Sequence, residues 1–169
     1  MRNKGYSFVE LLVVLSLVGL LAAMASPTFF DFYQRRRVAV AAGVVYQALL
    51  LARSNATTKK VDYSLDFRRD VDGFSYCLRM SVSECDNWHF FRGVYLARCT
   101  FPSNGQNFAA TRLLVGGVCT ARVSWMGAVQ GRLGGVYLKG NPKSDYCRGV
   151  WTKTLLGVLD NREIDRCGD

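Results

Sequence analysis

The first carboxylate of the chain, Glu10, stands at the edge of a run that carries no charge from Leu11 through Phe30. As a helix rising about 1.5 Å per residue, such a run matches a bilayer's hydrocarbon core of about 30 Å. An ionised group at the margin of such a segment is costly without a partner. Upstream lies a short basic leader, Met1-Arg2-Asn3-Lys4-Gly5. If the chain is cut after Gly5, the new N-terminus is an amine on Tyr6, four residues before Glu10 and on the same helical face. A matched amine and carboxylate, from one chain or from two, offset one another where a lone charge would be prohibitive. A helix that is stable only when paired in this way favours side-by-side assembly. Two other readings of residues 1–30 stay open. One is a secretory signal peptide cut near Ala25, for which Ala22-Ala23-Met24-Ala25-Ser26 supplies the small residues. The other is a plain signal anchor, which leaves Glu10 unexplained.

The remaining reactive side chains point away from catalysis. His89 is the only histidine, flanked by Trp88 and Phe90 with no motif around it, and a structural or exposed role suits it better than that of a catalytic base. Asp70-Val71-Asp72-Gly73 hints at a calcium loop but lacks the later ligands, and reads as a turn. Residues 131–135 lack the lysine and following helix of a phosphate loop. No catalytic residue, metal or cofactor is expected. The six cysteines, Cys77, Cys85, Cys99, Cys119, Cys147 and Cys167, all follow the membrane-length segment. Their even number and the absence of CxxC spacing argue against a zinc site or redox dithiol and for a disulfide framework in an exported domain. Pairing neighbours, as Cys77–Cys85, Cys99–Cys119 and Cys147–Cys167, is the simplest connectivity.

The formal charge of +9 favours acidic partners such as DNA or anionic lipid. Arg35-Arg36-Arg37 reads as a solvated collar at a membrane exit, with lipid headgroup or DNA contact as the functional reading. Lys59-Lys60 and the dispersed Arg68, Arg69, Arg92, Arg98, Arg112, Arg122, Arg132 and Arg148 offer further basic surface, and the sequence alone does not gather them onto one face.

These residues need elements to position them. Val38, Ala41, Val45, Ala48, Leu49, Ala52 and Ala56 recur at three- and four-residue steps, so the helix continues past the apolar run with one stripe turned to a core. Residues 8–56 together would form one gently bent helix about 75 Å long. Residues 61–67 and 74–82 alternate apolar and polar, with Cys77 on the wet side beside Arg79, and the Asp-Gly between them signals a hairpin with a longer loop. Residues 83–91 read as an excursion. Shorter strands are expected at 93–97, 112–115, 119–125, 135–138 and 149–155, punctuated by glycines, and the polar tail 160–169 is pinned by Cys167. The expected fold class is α+β: a long N-terminal helix packed on a mostly antiparallel β-sheet domain. Its expected parts are a leader (1–5), a membrane or filament-core helix (6–28), an amphipathic continuation (29–58) and a disulfide-stapled globular domain (59–169).

Lys4-Gly5-Tyr6-Ser7-Phe8-Val9-Glu10-Leu11-Leu12-Val13-Val14 resembles the type IV prepilin signature, in which a dedicated peptidase cuts after the glycine and methylates the new N-terminus. The resemblance implies cleavage and N-methylation at Gly5 and Tyr6, an assembly role for Glu10, and a helix kink at Pro27, a residue that removes a backbone hydrogen bond. Tyr6, Ser7 and Phe8 replace commoner residues of that signature. Ala48-Leu49-Leu50-Leu51-Ala52-Arg53-Ser54-Asn55-Ala56, followed by the strand at 61–67, resembles the FimT/GspH/FimU group of minor pilins and pseudopilins, with Asn55 where an acidic residue is usual. That group packs its helix on two small β-sheets and has a late cysteine pair resembling Cys147 and Cys167. The implied protein is a structural subunit of a type IV pilus or type II secretion filament. It would wait in a bacterial inner membrane with its globular part outside the cytoplasm, then join other pilin or pseudopilin subunits. The alternative is a competence pilin that binds DNA for uptake. Pilins of that kind carry Gly-Arg-x-Arg near the C-terminus, and Gly131-Arg132-Leu133-Gly134 lacks the second arginine.

Overall fold

The computed structural model describes residues 7–101, 116–130, 133–143, 146–154, 158–164 and 167, and of residues 25–28 the backbone only. The expected cleavage site at Gly5 and Tyr6, the expected strand at 112–115, Arg112 and Arg132 lie outside the described residues. The chain divides into two compact units, Met1–Gln34 and Arg35–Asp169.

One helix, α1 (Phe8–Lys59), supplies residues to both. Its first backbone bond runs from Leu11 N–H to the Ser7 carbonyl at 3.2 Å, and the backbone stays helical through Pro27. It stops where Lys60 turns to a positive φ of 53°, with Lys59 favourably placed in the last turn against the helix dipole.

In the first unit the helix is exposed among the described residues. The large apolar side chains of Phe8–Met24 are between 50% and 76% exposed, on every face. In the second unit the stripe is covered: Val38, Ala41, Val45, Ala48, Leu49, Ala52 and Ala56 are buried, as is Ala42. The helix contributes mostly small side chains, and most of the larger buried side chains come from the strands.

The strands form two four-stranded antiparallel sheets. The first has the order β3-β2-β1-β5, from β1 (Tyr63–Arg69), β2 (Gly73–Met80), β3 (His89–Arg92) and β5 (Val118–Val123). The second has the order β4-β6-β7-β8, from β4 (Tyr95–Cys99), β6 (Gly135–Lys139), β7 (Cys147–Thr152) and β8 (Leu159–Ile164). Period-2 alternation turns Leu65, Phe67, Phe74 and Ala121 of the first sheet into a core shared with Leu96, Val136, Leu138 and Val150 of the second. Phe67 stacks on Phe101 in its middle. Three disulfides hold the unit. Cys77–Cys85 ties β2 to the chain that follows it, Cys99–Cys119 joins the two sheets, and Cys147–Cys167 ties β7 to the tail.

Several expectations change. Residues 83–91 are not wholly an excursion, because His89–Arg92 pairs with β2 as an edge strand. The polar tail contains β8, whose alternation is too polar to read as a strand but whose backbone pairs fully with β7. Cys77 is not on a wet face: it is 2% exposed, because residues 81–88 return across that side of the sheet. The hairpin loop is short, residues 70–72, and Asp70 accepts hydrogen bonds from Arg68 and Ser75 to close it.

Candidate assembly segment

Glu10 lies in the first turn of α1, exposed among exposed apolar neighbours. A carboxylate there complements the positive end of the helix dipole. Ser7-Phe8-Val9-Glu10 at the helix start also has the spacing of a capping box, a local role for Glu10 that the spacing suggests and the sequence reading missed. The signal was available in the serine three residues before the glutamate. Phe29–Lys59 is long and apolar enough by composition to cross a membrane. Its stripe from Val38 to Ala56 is buried in the core, whereas Phe29, Phe30, Phe32 and Val40 are exposed. Phe8–Met24 is a shorter apolar length of helix whose large side chains are all exposed, the composition of a segment that suits a membrane or a packed assembly.

Arg35 and Arg37 each meet a partner on the sheets. Arg35 sits 5.0 Å over the Tyr146 ring, with Glu163 of β8 at 3.9 Å. Arg37 donates from Nη2 to the carbonyl of Arg92 at the end of β3. Gly93 makes room for it: φ is +68°, and a Cβ there would lie 3.0 Å from the guanidinium. The two arginines thus reach one strand of each sheet, and Arg35 stays exposed to solvent while it does so. The reason is geometric, since side chains two apart on a helix point to different sides. Arg36, between them, is exposed. Lys59 and Lys60 are exposed at the far end of the helix, Lys59 at 5.9 Å from the Tyr63 ring.

His89 is exposed and stacks on Tyr76 at 5.1 Å. Burial raises the pKa of the Tyr76 phenol. It does the same to Tyr146, where Glu163 adds to the effect and the neighbouring arginines oppose it. Asp160 is held below the usual carboxylate range, chiefly by the hydrogen bond from Lys153 at 2.8 Å, with Arg162 at 2.9 Å.

An uncovered apolar helix that runs on as the core helix of a two-sheet, disulfide-stapled unit defines a type IV pilin-like protein. Comparison with known proteins agrees. Residues 1–26 match the family model described as the prokaryotic N-terminal methylation motif. The type IV major pilin protein PilA of Myxococcus xanthus (strain DK1622) is 35% identical over 90 residues, covering 50% of this chain and 40% of that protein. The chain therefore spans about two fifths of the length of this curated relative. The crystal structure of the type IV minor pilin FimU of Pseudomonas aeruginosa (strain PAO1) superposes with a TM-score of 0.52 at 16% identity, covering 81% of this chain and 99% of that one. At that identity the likeness establishes the fold: a long N-terminal helix with antiparallel sheets.

Proposed function

We propose that the chain is a structural subunit, a minor pilin or pseudopilin, that enters a helical filament through residues 6–28. The observation that carries this reading is the uncovered apolar helix Phe8–Met24, which is preceded by a methylation motif and continuous in backbone with the core helix of a folded unit. Burying each of its large side chains is favourable by about 1.5–3 kcal/mol, so the segment has a strong drive to leave water. A bilayer meets that drive before assembly, and neighbouring helices meet it afterwards. The partners are other pilin-like subunits and the peptidase that cuts after Gly5. The globular unit, with its three disulfides, matures in an oxidising compartment outside the inner membrane. The motif and the exposed helix suit a pilus and a secretion filament equally.

The test is a Gly5 replacement in the native host. The variant is expected to keep its leader, run as an unshifted band and be absent from filaments sheared off the cell. A variant that is processed normally and recovered in the filaments contradicts the proposal.

A further inference from the structure

The outer side of the second sheet carries an aromatic surface that the filament role does not use. Across β6 and β7 the register sets Gly135 opposite Trp151 and Tyr137 opposite Gly149. Across β7 and β8 it sets Trp151 opposite Asp160 and Gly149 opposite Arg162. Register partners share a face, and alternation puts the core residues Val136, Leu138 and Val150 on the other one. Two glycines make room for the rings. A Cβ at Gly135 would lie 2.6 Å from Trp151 Cβ, and one at Gly149 would lie 2.9 Å from Trp151 Cζ3 and 2.9 Å from Ile164 Cδ1. The indole therefore leans over Gly149. It is parallel to the Tyr137 ring within 15°, with the ring centroids 6.5 Å apart. Both rings are partly exposed, and with Leu133, Gly134 and Ile164 they line one open cleft of about 330 Å³.

Polar groups stand beside these rings on β8. Asp160, directly across from Trp151, receives Lys153 Nζ at 2.8 Å and Arg162 Nε at 2.9 Å. Arg162 is 65% exposed, so its planar fork stays open to solvent. The carboxylate accepts hydrogen bonds and the guanidinium donates them, which together match the two capacities of neighbouring sugar hydroxyls. A pyranose ring has apolar C–H groups on its flat sides and hydroxyls at its edge, so it lays a flat side on an aromatic ring and turns its edge to such groups. The cleft is at the small end of the range for ligand sites and is open, which suits a chain lying across it more than an enclosed molecule. Two parallel rings side by side suit a straight, ribbon-like chain, whose successive units offer apolar sides in one plane.

We propose that this face binds a polysaccharide of β-1,4-linked pyranose units, with Trp151 and Tyr137 as the stacking surface and Asp160 and Arg162 as the hydrogen-bonding edge. Trp151 carries the larger share of the affinity, because an indole offers the larger apolar face. Arg162 fixes the orientation of the chain. All four residues belong to the second unit, so the inference stands apart from the filament role of residues 6–28.

The test is calorimetric titration of the full chain, in a detergent without a sugar headgroup, with cellohexaose, chitohexaose and maltohexaose. The first two share the straight β-linked backbone, with plain and N-acetylated units, and maltohexaose has the coiled α-linkage. The wild type is expected to bind a β-linked hexamer at least about ten-fold tighter than maltohexaose. Preference for one β-linked hexamer names the ring substituent, and equal binding of the two marks recognition of the shared backbone. Trp151→Leu is expected to weaken this binding at least about ten-fold, and Arg162→Ala about three- to ten-fold. Because Arg162 is exposed, its replacement decides the matter if Trp151→Leu does not fold. Binding of neither β-linked hexamer, equal binding of maltohexaose, or an affinity unchanged by Arg162→Ala overturns the proposal.

Discussion

Replacing Glu10 by glutamine separates its two roles by magnitude. Glutamine serves in a capping box nearly as well as glutamate, so the local role loses only the dipole interaction of the charge, about 0.3–1 kcal/mol or at most about five-fold. The assembly role is larger. Val9 is 65% and Leu11 54% exposed on either side of Glu10, so packing this segment into a filament dries the site. An N-terminal amine that loses its carboxylate there is a lone charge in apolar surroundings, worth about 2.5–3.5 kcal/mol on insertion scales. At about 1.36 kcal/mol per tenfold, that is about 70- to 400-fold. The assay co-expresses tagged wild type and Glu10→Gln at matched inner-membrane levels and measures each in sheared filaments. Leader cleavage is followed as a band shift, which the variant is expected to show as the wild type does. A variant that enters filaments within about five-fold of wild type would refute the charge-pairing argument and leave Glu10 as a helix cap.

Other predictions concern the globular unit. Removing the sheet-to-sheet bond with Cys99→Ala/Cys119→Ala releases a closed loop of separation 20, about 3.3 kcal/mol by chain entropy, against about 2.5 kcal/mol for the separation of 8 at Cys77–Cys85. Thermal unfolding is expected to fall by about 10–15 °C for the first variant and by less for the second, and the reverse order would contradict the staple's role. Arg37→Ala leaves the end of β3 without its cap and is expected to cost about 1–3 kcal/mol, read as faster hydrogen exchange in residues 89–92 with leader cleavage unchanged. Tyr76 and Tyr146 have raised pKa values, so the unfolded chain ionises first. Their contribution to stability is fully present below the usual tyrosine pKa of about 10 and is lost as pH rises towards their folded values. Alkaline titration of the tyrosinate absorbance is expected to place both late, and Tyr76→Phe and Tyr146→Phe identify them.

Much of the architecture was legible in the residues. The stripe from Val38 to Ala56 repeats at the helical period and is the buried face, and the alternation in β1 and β2 is plain enough to place both strands. What escaped has physical reasons. β8 reads Leu-Asp-Asn-Arg-Glu-Ile, and an edge strand with little burial needs no apolar alternation, so only its pairing with β7 reveals it. β3 is four residues long and mostly exposed. Cys77 was assigned to water because its strand face is polar, and polarity alone does not disclose that a later segment lies against that face. The partners of Arg35 and Arg37 were not legible, because Glu163 and the Arg92 carbonyl are 128 and 55 residues away in sequence. Periodicity reports an element's own faces, whereas such contacts depend on how elements are stacked.

The central claim is that residues 1–5 are a leader and that the helix from Tyr6 onward is the assembly element. Its most direct test is the mass of the N-terminal peptide of the mature protein, recovered from the native host. The account predicts a chain that begins at Tyr6 and carries one methyl group on its amine. A chain that begins near Ser26, or that retains Met1, would contradict it.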